Sequence, residues 1–373
     1  MAKQKRPDLV LFTIVMILAG LGLVMVLSAS SVIGFEAEQD PFHFFRRQAI
    51  WLGLGVVILV VTMNIDYHLY KKLALPGLMV AFLLLLLVLW IGQDIGGARR
   101  WISLGFFNLQ PSEVAKLAMV NFAAVYIANK GRKIRRLFSG LVPILVILAG
   151  MFGLIVLEPD FGTAVALVAT TMMMLFSGGA YLGHLLLLAI GAGAGMYQLA
   201  LGWSYRWRRI TAFLDPWADP MDTGWNVIQS LLAVGSGGLL GVGLGNSRQK
   251  FSYLPEHHTD FIYAILAEEL GFIGAIAVVL LYALLVWRGF AIGLRARDTY
   301  GSLLAVGLTT LLAFQAMLNI GVATGSVPVT GIPLPFISYG GSALMTAMAS
   351  AGVLLNISRH VRVAKRRSED AVS

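Results

Sequence analysis

Ten apolar runs, separated by short polar segments, occupy most of this 373-residue chain and leave it one broad class of fold. They extend from Leu9 to Ser28, Ala49 to Met63, Leu73 to Gly92, Ser112 to Ala128, Leu141 to Leu157, Ala164 to Ser177, Ala180 to Gly202, Phe261 to Trp287, Leu303 to Thr324 and Tyr339 to Ile357. An α-helix needs about 20 apolar residues to cross the hydrocarbon core, and lipid offers backbone groups no hydrogen-bond partner. Each run is therefore expected to be a spanning helix, the sixth a short one. Only 13% of residues are charged, about half the usual share in soluble domains, and the mean hydropathy is +0.80. The expected fold is an all-α polytopic membrane protein of about ten transmembrane helices. A single membrane domain fills residues 9–358, between a short segment (1–8) and a basic tail (359–373).

Lys3, Lys5 and Arg6 followed by an apolar run and Ser28-Ala29-Ser30 superficially fit a cleaved secretory signal. The run exceeds the usual signal core of about 7–15 residues, so it reads as a retained first span. Sidedness follows from the cations, which accumulate in cytoplasmic loops. With both termini on the cytoplasmic side, 18 of the 28 Lys and Arg face the cytoplasm, clustered at 3–6, 71–72, 130–136, 288–297 and 359–367. The net charge of +9 then reports topology and attraction to membrane lipids rather than nucleic-acid binding. With no cysteine in the chain, disulfides, thiolate metal sites and a Cys nucleophile are excluded.

This orientation leaves residues 203–260 as one long outer loop between spans seven and eight. Tyr205-Arg206-Trp207-Arg208-Arg209 suits an interfacial anchor, Asp215-Pro216-Trp217-Ala218-Asp219-Pro220 a turn, and Trp225 to Val234 an interfacial helix. The glycine-rich stretch from Gly235 to Gly245 fits neither GxxxxGK[ST] nor GxGxxG. Flexible or re-entrant backbone, shielded by protein, is the expected form.

The loop closes with Leu254-Pro255-Glu256-His257-His258-Thr259-Asp260, which sets two carboxylates and two imidazoles at the boundary of span eight. Thr259 or Asp260 could cap that helix; a carboxylate there could equally serve as a general base toward a lipid-borne substrate. Glu268 and Glu269, deeper in the span, are costly unless paired, and helix–helix hydrogen bonding is their expected role. Lys116 has three readings: pairing with Glu113 at i,i+3, snorkelling to the surface, or pairing with Asp160 in a polar cavity. Arg99-Arg100-Trp101 could bind phosphate or anchor the interface. No zinc spacing occurs, and the acidic outer loops could hold Mg²⁺ or Mn²⁺ without naming a ligand set.

Read in order, Gly97-Ala98-Arg99-Arg100-Trp101-Ile102, Gln110-Pro111-Ser112-Glu113 with Lys116, Pro159-Asp160-Phe161-Gly162-Thr163, the glycine stretch, Leu254 to Phe261, Glu268-Glu269-Leu270-Gly271 and Pro335 to Ser342 carry a resemblance. The chain resembles the SEDS family of cell-wall polymerases, which contains FtsW, RodA and SpoVE, over essentially all ten spans. Gly243 to Lys250 looks more like the FtsW/SpoVE branch. Two positions depart: Glu158 stands where the family often has Gln, and Gly96-Gly97 where it often has Asn-Gly.

The resemblance implies a peptidoglycan glycosyltransferase with Asp260 as catalytic carboxylate, acting on lipid II and the growing lipid-linked glycan, with a class B penicillin-binding protein as transpeptidase partner. Arg99, Arg100 and Lys116 would steady the departing diphosphate. Asp160, Glu256 and His258 would line the cavity, and Glu113, Glu268, Glu269 and Ser338 would be structural polar residues. A flippase for lipid-linked precursors and a scaffold for a transpeptidase are the competing readings. Transport predicts critical charges at mid-membrane in repeat-related broken helices; polymerisation predicts them at the outer boundary.

Overall fold

The computed structural model describes residues 6–361 apart from 96–97, 106, 202–207, 209–210, 252–253 and 256–257. Ten of its helices fall on the ten apolar runs: α1 (Leu9–Glu38), α2 (His43–Asn64), α4 (Ala74–Ile91), α5 (Pro111–Lys130), α6 (Val142–Leu157), α7 (Phe161–Ser177), α8 (Leu182–Leu201), α10 (Ile262–Arg295), α11 (Thr299–Ala323) and α12 (Gly341–Arg359). Two shorter helices, α3 (Tyr67–Lys72) and α9 (Trp225–Ser236), complete the described set. Seven of the ten are long and apolar enough to cross a membrane on their own measure. α5 falls outside that group while carrying Glu113, Lys116 and Lys130.

Large apolar side chains such as Ile50, Val57, Leu83, Ile190 and Leu280 are exposed on the bundle's outside, where lipid would cover them. The polar groups go inward instead. α1, α5, α10, α11 and α12 bury Ser30, Glu113, Lys116, Glu268, Glu269, Asn319 and Asn356. Asp8, at the start of α1, pairs with Arg288 on α10, and its backbone N–H donates to Ser358 on α12 (3.0 Å). Both described chain ends therefore lie at one end of the bundle, and Asp260, preceding α10, at the other.

Two departures from the sequence reading bear on function. The segment between α4 and α5 is not all loop, because its described residues include a small antiparallel sheet, β1 (Gln93–Ile95), β2 (Ala98–Ser103) and β3 (Asn108–Leu109). Side chains alternate along β2, which turns Arg99 and Arg100 to opposite faces. The second departure concerns residues 225–234, which bury one face of their helix in the protein rather than lying at an interface, while the glycine stretch that follows enters the protein as expected. Val227, Ile228, Gln229, Ser230 and Ala233 of α9 are buried, and Ser230 Oγ donates to the Ala323 carbonyl (2.7 Å).

The glycine stretch explains this depth. α10 breaks at Gly271 (φ 68°, ψ −171°), which frees carbonyls and N–H groups in a buried helix. The incoming loop takes their place: Val242 and Gly243 donate to the Glu268 and Glu269 carbonyls (both 3.0 Å), and Phe272 and Ile273 donate to Gly238 and Leu239 (2.8 and 3.2 Å). Such close backbone approach leaves no room for side chains. A Cβ on Gly241 would run into the Glu269 carbonyl, and one on Gly271 into the Gly241 N–H.

Gly241→Ala is expected to lower thermal stability more than Gly245→Ala. Both glycines hold a positive φ, so each substitution carries about 1–3 kcal/mol of backbone strain, but nothing lies within 4 Å of a Cβ at Gly245. Equal melting shifts for the two variants would contradict the docked-loop account.

Candidate functional site

Asp260 sits just ahead of α10, whose N-cap is Phe261 with no side-chain capping bond. The N-cap position therefore falls on Phe261 and not on Thr259 or Asp260. The segment is pinned through its backbone instead. Asn319 Nδ2 donates to the carbonyls of Asp260 and Ile332 (both 2.8 Å), Ser338 Oγ donates to the Thr259 carbonyl (2.6 Å), and the Tyr339 N–H donates to the His258 carbonyl (3.0 Å). Ser338 Oγ also accepts from the Leu334 N–H (2.8 Å), so this one hydroxyl ties the 334–339 loop to the segment before α10.

The Asp260 carboxylate faces Gly331 across this loop, at 3.4 Å from where a Cβ would stand. Gly162, at the start of α7, packs against the Thr330 carbonyl and Ile332 on the same loop. Asp160 caps the helix whose first turn thus meets residues 330–332. Its Oδ1 accepts from the Thr163 N–H (3.1 Å) as the N-cap of α7, and its Oδ2 from Gln110 Nε2 (3.2 Å) and Ser112 Oγ (3.3 Å).

The charges expected to share this cavity separate. Lys116, 1% exposed, pairs with Glu113 at 2.6 Å, and Glu113 also accepts from Thr346 Oγ1 at 2.7 Å. The snorkelling alternative is overturned, and the buried cation takes the carboxylate one turn away rather than Asp160. Arg100 donates to the carbonyls of Glu158 (3.0 Å) and Pro159, so it holds the turn into α7. Arg99 stays half exposed, 3.9 Å from Asp94. Glu269 accepts from Ser28 on α1 (2.6 and 2.8 Å), a helix–helix bond, while Glu268 accepts from Ser247 and from the Arg248 N–H (2.9 Å), so both acids clasp the docked loop. Glu256 lies outside the described residues, as does most of the basic tail. Among the described residues no three His, Asp or Glu side chains converge as a metal site, so no step is assigned to Mg²⁺ or Mn²⁺.

A cavity of about 440 Å³ opens beside this segment, lined by Arg47, Trp51, Trp101, Asn108, Thr259 and Tyr339 among others. His258 makes tilted ring contacts with Phe44 (5.2 Å between ring centres) and Tyr339 (5.6 Å) that form part of its support. Arg47 is the cation sequence reasoning passed over. The signal was there: Arg46 and Arg47 are adjacent cations just ahead of span two, in a segment that the expected topology places on the side ordinarily poor in cations.

Glu158 is fully buried, and neither carboxylate oxygen has a hydrogen-bond partner. Burial, together with the neighbouring Asp160 carboxylate, pushes its carboxyl up to about 9 against the pull of Arg100. It therefore keeps its proton at neutral pH and is nearly isosteric with the glutamine frequent there in the resembled family. The folded-state value exceeds the unfolded one, so this group favours the fold fully below about pH 4.5 and progressively less as pH rises toward about 9. Glu158→Gln is expected to flatten the decline in melting temperature across that window and to exceed the parent at its alkaline end. Parallel pH curves for the two proteins would refute the assignment.

Comparison with known proteins places these features in context. Residues 8–363 match the FtsW/RodA/SpoVE family of cell cycle proteins. The chain is 47% identical to stage V sporulation protein E of Bacillus subtilis (strain 168), across 96% of this chain and 99% of that protein. It is 43% identical to a probable peptidoglycan glycosyltransferase FtsW of Geobacter sp. (strain M18), across 97% and 99%. Among solved structures it superposes with TM-score 0.78 and 33% identity, over 95% of this chain and 98% of the other, on a chain from a peptidoglycan synthase complex that coordinates polymerization and crosslinking.

Proposed function

The chain belongs to the FtsW/RodA/SpoVE family of cell cycle proteins, and from that membership we propose that it is a peptidoglycan glycosyltransferase polymerising lipid II, with Asp260 as general base. The Asp260 carboxylate takes the proton from the acceptor sugar's 4-hydroxyl as that oxygen attacks the anomeric carbon of the lipid-linked glycan. The anomeric C–O bond to the diphosphate breaks, and undecaprenyl diphosphate leaves with the electron pair. One displacement at an α-linked carbon gives a β-linkage.

One observation carries the reading. Glu113, Glu158, Asp160, Glu268 and Glu269 are each at most 2% exposed, whereas Asp260 remains partly open on a backbone fixed by Asn319 and the 334–339 loop. A general base needs both access and a fixed position. The adjoining cavity supports a saccharide-diphosphate ligand: Trp51 and Trp101 offer apolar faces to sugar rings, and Arg47 a cation to phosphate. Arg99 is the further candidate cation toward the diphosphate, and Arg100 acts by positioning the Glu158–Asp160 turn. The cation asymmetry of the loops supports an outer-face site with both termini in the cytoplasm.

A transporter also needs intramembrane charge, and α10 is broken as a transporter helix can be. Here the break is filled by residues 238–243, and Lys116, Glu268 and Glu269 are engaged by protein partners, which favours catalysis. The likeness to a chain of a peptidoglycan synthase complex supports a class B penicillin-binding protein as partner. The deciding experiment supplies lipid II to the purified chain, with and without that partner, and follows glycan length. Polymer supports the enzyme; lipid II movement across vesicles without polymer, or copurification without turnover, would leave a flippase or a scaffold in its place.

A further inference from the structure

We propose that the cleft where α1 begins beside the end of α10 binds the headgroup of an anionic phospholipid, with the acyl chains running along the adjoining apolar surface. The cleft encloses about 380 Å³ and is lined by Arg6, Asp8, Arg288, Arg295, Ile292 and Val361 among others. Asp8 is already committed. It accepts the Leu11 N–H (3.0 Å) as N-cap of α1 and both Nε and Nη2 of Arg288.

Arg6 and Arg295 are different. Both are exposed, and among the described residues neither has an acidic or hydrogen-bonding partner. Two cations facing one cavity without a carboxylate partner among the described residues, with Asp8 neutralised by Arg288, call for an anion. Ordinary topology-setting cations need only face water, whereas these two converge on a common space.

The surroundings narrow the anion's class. The cleft's own lining includes the strongly exposed Leu9 (60%), and exposed Trp287 (64%) and Leu294 (86%) lie four residues before and three after its lining residue Ala291, on a neighbouring stripe of α10. A free phosphate gains nothing from that surface; a phosphodiester carrying two acyl chains gains both charge pairing and apolar contact. Trp287, near the same end of α10, is an exposed indole of the kind enriched at membrane–water interfaces. The proposal is independent of the catalytic reading, because the cleft lies at the opposite end of α10 from Asp260.

The test uses the full chain in neutral detergent, titrated with dioleoylphosphatidylglycerol, dioleoylphosphatidylcholine or inorganic phosphate, and read by native mass spectrometry and thermal shift. Arg6→Gln/Arg295→Gln is compared with Lys71→Gln/Lys72→Gln, which removes equal charge at the same end but outside the cleft. At about 1 kcal/mol per cation, the arginine pair should weaken phosphatidylglycerol binding roughly thirtyfold, and Arg295→Gln alone roughly fivefold. The lysine pair should leave it unchanged. Without lipid, all variants should melt with the parent; if the double arginine variant does not fold, the single variant decides the matter. Equal loss in the lysine variant, equal binding of phosphatidylcholine, an equal shift with phosphate alone, or displacement of the lipid by a soluble poly-glutamate peptide would each overturn the proposal.

Discussion

Asp260→Asn protein is expected to polymerise lipid II about 10²–10⁴ times more slowly than the parent, the range a positioned general base contributes. Asparagine preserves the side chain's shape, and the pinning bonds act through the backbone: Asn319 holds the Asp260 carbonyl and Ser338 the Thr259 carbonyl. The variant should consequently melt with the parent. The loss should fall on the maximal rate with little change in the lipid II concentration for half-saturation, because proton removal stabilises the transition state rather than the bound substrate. Asp260→Glu keeps the base but displaces it by one methylene, so partial activity is expected. Parent-level chain growth by the Asn variant would remove Asp260 from the reaction.

The sequence revealed this framework unevenly, for physical reasons. Helices facing lipid on one side must be apolar over a fixed length, so the ten runs were legible at once. The same rule concealed the sheet at residues 93–109, whose strands are too short to show a period-two pattern. Alternation along β2 then sent Arg100 to the Glu158 and Pro159 carbonyls, which a cluster of adjacent letters cannot show. The glycine stretch was recognisable as re-entrant backbone, yet its purpose was not, since nothing in Gly271 itself announces a break that another segment must fill. Glu268 and Glu269 were expected to hydrogen-bond between helices, which Glu269 does with Ser28, whereas Glu268 bonds the docked loop instead. Its partners there, Ser247 and the Arg248 N–H, lie about twenty residues earlier and become neighbours only when that loop enters the protein. Arg47 was missed because it matches none of the motifs that carried the reading, although a pair of cations in a segment expected on the side poor in cations already asks for a reason.

Lys116→Met is expected to cost about 3–5 kcal/mol of stability, the usual consequence of leaving one half of a buried ion pair without its counter-charge. Glu113 cannot escape to water, being 2% exposed, and Thr346 supplies a hydroxyl but no charge. The cavity between α5, α11 and α12 at this point holds only about 10 Å³, near the minimum for a single water, so solvent cannot replace the ammonium. Glu113→Gln in the same protein removes the stranded charge while keeping the acceptor for Thr346, and methionine occupies much of the lysine's volume. The double variant should therefore recover most of the melting temperature, a strongly non-additive result. Wild-type stability in the single variant would deny that the pair is buried as described. Activity then separates two roles that stability alone cannot. If the double variant regains polymerisation along with its fold, Lys116 serves the bundle; if it regains only the fold, the ammonium belongs to the reaction after all, reaching the diphosphate from a rearranged α5 once substrate has entered.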